Sequence, residues 1–245
     1  MRDSAAVGVL MLDTRFPRLP GDIGNPATFP FPVHYRRIAG ATADRVVRRK
    51  PGDLLPAFIS GARELEAQGV VAITTTCGFL ARFQRELAAA VRVPVCTSSL
   101  MLVPLVHRML PAQAAVGILT IDASALGGEE LAGAGIAPDM PVVVAGLEGE
   151  AEFARAILED RPTLDGDAAR QEHVRVAQRL AAAHPEVRAI VLECTNMPPY
   201  RDAIRVGTGL PVFDIVHLVT LLRQASLPAA HRIRHRAGGP AGDRR

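Results

Sequence analysis

The chain has 245 residues, 49% hydrophobic and 22% charged, the balance of an ordinary globular protein and enough length for one large α/β unit or two lobes. That composition excludes a collagen-like, coiled-coil or wholly disordered chain. The formal net charge of +3 collects at the C-terminus, where 229–245 carries five arginines against Asp243, so the rest of the chain is nearly neutral and lacks the basic, aromatic-flanked surface of a nucleic-acid binder.

In chain order, short apolar runs predict strands at 7–12, 33–38, 70–75, 93–96, 115–121, 142–146, 189–193 and 210–213. The first run is too short for a membrane span or a signal sequence and ends in Asp13-Thr14-Arg15. The expectation is a cytoplasmic protein with no membrane partner. Residues 15–32 contain Pro17, Pro20, Pro26, Pro30 and Pro32, which exclude a helix or inner strand. Phe16, Ile23, Phe29 and Phe31 within that stretch predict an ordered lid or cleft wall rather than a loose loop. Lys50, the one lysine, sits in a polar turn, which argues against pyridoxal-phosphate chemistry. Leu54, Leu55, Phe58, Ile59, Ala62 and Leu65 follow helical spacing behind an Asp53 cap, and a second helix is predicted over 167–183. Strands alternating with helices predict an α/β fold with mostly parallel sheets. The three cysteines have no metal-ligand spacing, so free thiols are expected, with no metal and no cofactor.

An internal repeat organises these elements. At an offset of 117 residues, Val70, Ala72, Ile73, Cys77, Pro94 and Val95 match Val187, Ala189, Ile190, Cys194, Pro211 and Val212 without a gap. At an offset of 109, Val7, Gly8, Leu10 and Asp13 match Val116, Gly117, Leu119 and Asp122. Two pseudosymmetric lobes follow: 1–97 with 212–228 as the first, 98–211 as the second, and 229–245 as a basic, disordered tail.

Each repeated cysteine follows an apolar strand and precedes an expected helix start, where reactive groups of open α/β sheets gather and backbone amides stabilise a thiolate. Pro198 and Pro199 suit an early helical turn after Cys194. A pseudo-twofold axis would set Cys77 and Cys194 across an interlobe cleft. That arrangement suits proton removal on one face of a carbon and return on the other. Cys96 has Phe213 as its repeat partner and reads as core. Asp13 could orient a thiol or simply cap a turn, and Arg15 could grip a carboxylate or pair at the surface. His217 could border the cleft or sit half-buried on a helix. His34 and His107 read as structural, and Gly127-Gly128 as a turn.

Thr74-Thr75-Thr76-Cys77-Gly78-Phe79 and Leu192-Glu193-Cys194-Thr195-Asn196-Met197-Pro198 resemble the two cysteine motifs of the aspartate/glutamate racemase superfamily. The resemblance implies a cofactor-independent enzyme with Cys77 and Cys194 as its acid/base pair. It further implies a substrate carboxylate held by Thr195, Asn196 and the amides at Gly78 and Phe79, with Asp13, Thr14, Thr120 and Ser124 nearby, in a homodimer. Gly78 stands where amino-acid racemases usually have Asn, and Asn196 where glutamate racemases have His. The long proline-rich segment looks like that of a branch including dimethylsulfoniopropionate lyases. The leading expectation is racemisation of a small carboxylate. The alternatives are cysteine-dependent β-elimination within the same superfamily and a two-lobed protein that binds a small anion without chemistry.

Overall fold

The computed structural model describes residues 5–49 and 52–227. Two four-stranded, all-parallel sheets form two halves. The first holds β1 (Val7–Leu12), β2 (Val33–Ile38), β3 (Ala72–Thr75) and β4 (Val95–Cys96), and the second β5 (Ala115–Thr120), β6 (Val142–Gly146), β7 (Val187–Leu192) and β8 (Val212–Phe213). The orders β2-β1-β3-β4 and β6-β5-β7-β8 are the same topology twice. The 117-residue offset maps β4 onto β8 residue for residue and β3 into β7. β1, β3 and β5 are buried on both faces because helices cover both sides of each parallel sheet.

The first half adds α1 (Ala43–Arg48), α2 (Leu55–Ala67) and α3 (Gln84–Ala90); α4 (Val103–Met109) leads into the second, which adds α5 (Gly128–Gly133), α6 (Phe153–Leu158), α7 (Gly166–Ala183) and α8 (Arg201–Thr208). Helix α2 buries Phe58, Ala62 and Leu65, spaced to form one face. Its expected Asp53 cap is not made: Asp53 lies in a 3-10 turn, Gly52–Leu54, and pairs with Arg45. Helix α7 is capped by Asp165, whose carboxylate accepts from the amides of Asp167 and Ala168.

The halves exchange their last element. β8 pairs with β7, so residues 212–213 belong to the second sheet rather than the first, and the chain returns only at α9 (Ile215–Ser226). Ile215 and Val219 of α9 pack with Val7, Ile23, Phe29 and Cys96, the last a core residue as its place in the repeat predicts. Lys50 and the 229–245 tail lie outside the described residues. Among the described residues, no helix is long and apolar enough to cross a membrane.

Candidate active site

Both repeated cysteines lie two residues beyond a strand end. Cys77 follows β3 in extended geometry and opens a 3-10 turn, Gly78–Phe83. Cys194 follows β7 and precedes another, Pro198–Tyr200. The expected helix starts are 3-10 turns that run directly into α3 and α8, and each aims an amide at its sulfur: Phe79 N–H at Cys77 and Asn196 N–H at Cys194. The two thiols line one cavity at the seam of the halves. Leu12, Phe16, Val47, Phe79, Ile121 and Ile157 form its apolar wall, with Glu193 and Asn196 as its polar members beside the thiols and Thr76. The cavity measures about 20 Å³, enough for roughly one water.

Burial dominates the electrostatics. It pushes both thiols well above the usual cysteine range, reinforced by the neighbouring Glu193 and opposed by the two backbone amides. Glu193 is fully buried, and its pKa rises from 4.5 to about 8. Its Oε2 accepts from the Thr120 hydroxyl at 2.8 Å, whereas Oε1 has no partner. Burial thus favours the protonated form of all three groups at neutral pH.

The proline-rich segment is an ordered wall, with Phe16, Ile23 and Phe29 buried. It straps the first half to the second. Asp22 accepts from Asn196 Nδ2 at 2.6 Å and from Arg18 at 3.2 Å, and the Cys194 thiol donates to Asn196 Oδ1 at 3.4 Å. The Arg18 guanidinium stacks 4.3 Å from the Phe16 ring centre and donates to Thr14 Oγ1. A second tie crosses the seam where Arg48 of α1 meets Asp122, which the Ser124 hydroxyl also binds.

Of the residues singled out in the sequence, Cys77, Cys194, Gly78, Phe79 and Asn196 line the cavity. Thr120 stands behind Glu193, Thr14 behind Arg18, and Ser124 behind Asp122. Thr195 is buried, and its carbonyl accepts from Ile23 N–H. Asp13 accepts from the Gly40 amide and Arg37 outside the cavity. Arg15 points outward, its side chain 81% exposed and paired with Asp160 at 3.1 Å. His217 is half-exposed on α9 and bonded to Asp214. Sequence reasoning missed Glu193, Arg18 and Asp22. Glu193 had a signal, a carboxyl ending an apolar strand beside Cys194; the Asp22–Asn196 bond spans 174 residues and had none.

No family model matches the chain. It is 33% identical over 217 residues to a dimethylsulfoniopropionate lyase of Durusdinium sp. clade D, covering 86% of this chain and 72% of that protein. Dimethylsulfoniopropionate lyase 6 of Emiliania huxleyi is 34% identical over 223 residues, and the chain spans 58% of its length. Among solved structures, an allantoin racemase from Klebsiella pneumoniae superposes with a TM-score of 0.61 at 17% identity, over 90% of this chain and 86% of that one. An arylmalonate decarboxylase variant in its sulfate-associated form gives 0.60 at 16%, over 91% and 94%. These likenesses establish the fold. With two cysteines at matching strand ends of a duplicated parallel sheet, the chain belongs to the aspartate/glutamate racemase superfamily, in one family with the dimethylsulfoniopropionate lyases.

Proposed function

We propose that the protein is a cysteine-dependent lyase that eliminates a sulfonium leaving group from the carbon β to a carboxylate, with dimethylsulfoniopropionate as the reference substrate. One observation carries this reading: two thiols from opposite halves share a cavity whose wall is otherwise largely apolar, in a chain 33% identical to a protein named for that reaction. A dimethylsulfonium head offers methyl groups and no N–H donors, which suits an apolar wall better than an ammonium would.

One cysteine, as thiolate, takes the proton from the α carbon. The C–H electron pair forms the new double bond, and the β C–S pair leaves with neutral dimethyl sulfide, so acrylate remains. The proton on sulfur then passes to solvent. Burial holds both thiols above the ordinary cysteine range, and the sulfonium cation of a bound substrate stabilises the thiolate that burial opposes. The second cysteine remains a thiol.

Incubation with dimethylsulfoniopropionate in deuterated water tests this reading. Stoichiometric dimethyl sulfide and acrylate are expected, and Cys77→Ser or Cys194→Ser should lose at least about 100-fold in turnover with unchanged circular dichroism. Racemisation, the first expectation from sequence, shares the proton-abstraction step. Inversion and α-deuterium incorporation in a panel of chiral carboxylates, without alkene, would replace elimination by it. Ligand binding without turnover would leave only an anion-binding protein.

A further inference from the structure

Gly78 is the point where the cysteine motif departs from the amino-acid racemases, and the structure supplies a reason. A Cβ added there would lie 2.2 Å from Glu193 Oε1 and 2.4 Å from the Glu193 carbonyl oxygen. The carboxyl of Glu193, carried by the second half, thus fills the space that a side chain on residue 78 of the first half would need. Oε2 is fixed by the Thr120 hydroxyl, while Oε1 is buried without a partner in a residue that lines the cavity. An unpartnered buried oxygen is costly unless something arrives to pair with it.

We infer that Glu193 is a third catalytic group, a protonated carboxyl that donates a hydrogen bond from Oε1 to the substrate carboxylate. This inference rests on the proposed α-proton abstraction and adds to it. Removing the α proton sends charge into the substrate carboxylate, and a neutral donor that meets it there strengthens its bond as that charge grows. An ionised Glu193 would repel the same oxygens. Burial keeps the proton on, assisted by the charge of Glu130 on α5, which also faces Arg82. Burial holds the remaining titratable neighbours, Cys77 and Cys194, above the ordinary thiol range, and propionate, unlike a sulfonium substrate, brings no cation to favour a thiolate. No thiol hydrogen-bonds Oε1, which is why the donor is assigned to the substrate rather than to a cysteine.

Propionate, an unreactive carboxylate, tests the contact independently of turnover. Its affinity, followed by calorimetric or NMR titration from pH 6 to 9.5, is expected to be level up to about pH 8 and then to fall about tenfold per pH unit as Glu193 ionises. Glu193→Gln keeps a neutral donor and should flatten the curve. Glu193→Ala should lose at least about tenfold at pH 7. Thr120→Val removes the bond that favours the ionised form and should move the fall to higher pH. A wild-type curve that is flat across pH 8, an affinity that rises with pH, or an Ala variant that binds like wild type overturns the assignment. Absence of lyase turnover with these binding curves intact would sink the proposed reaction and leave the carboxylate contact standing.

Discussion

Replacing Glu193 by Gln should stabilise the protein, and by an amount that grows with pH. The native carboxyl titrates near 8 and an unfolded one near 4.5, so between these values the unfolded chain sheds a proton that the folded chain keeps. Ionisation then favours unfolding by ~1.4 kcal/mol for each pH unit. Stability from this group is fully present below pH 4.5, declines as pH rises, and is exhausted near 8. At pH 7 the cost is about 3 kcal/mol, a large share of the 5–15 kcal/mol typical of a folded domain. His173 works in the opposite direction: it stays neutral down to about pH 4 against 6.5 when unfolded, so its contribution is lost as pH falls from 6.5. The two slopes offset each other from 4.5 to 6.5, and among the described residues Glu193 sets the slope from 6.5 to 8. Urea unfolding of wild type and Glu193→Gln at pH 5, 6, 7 and 8 isolates the carboxyl, because His173 is common to both. The separation should widen steadily in favour of Gln and level off near pH 8. Curves that stay parallel from pH 5 to 8 would refute a buried, protonated Glu193.

Gly78→Ala forces its new methyl against the Glu193 carboxyl and carbonyl, and should cost about 1–3 kcal/mol in denaturant unfolding while cutting propionate affinity. Asp22→Ala strands the Arg18 guanidinium, only 10% exposed, and releases Asn196; a loss of about 3–5 kcal/mol is expected, with faster proteolysis within the 15–32 segment. Arg48→Ala leaves the buried Asp122 carboxylate with Ser124 as its remaining partner, so a loss of about 1–3 kcal/mol should appear in the same unfolding assay.

The duplicated sheets were legible because each strand is a short apolar run, and because the spacing of Val95 and Val212 repeats that of Cys77 and Cys194. The thiol positions followed from the same repeat. Strand edges such as β8 were harder: a two-residue strand carries too little pattern to say which sheet it joins. Asp53 shows local competition, since a nearby arginine claimed the carboxylate expected at the helix start. The exchange of Arg15 for Arg18 shows a limit of one-dimensional reading. The two stand three residues apart in one loop, and the contacts that distinguish them reach far along the chain: Arg18 meets Asp22, itself bound to Asn196, while Arg15 meets Asp160. Glu193 could be read as buried from its strand, but its partnership with Gly78 needed both halves in place.

A chamber sized for one solvent molecule, roofed by a segment bolted to both halves, cannot admit cargo while shut. The proposed reaction therefore requires the wall that includes Phe16 to move for substrate entry and again for product release.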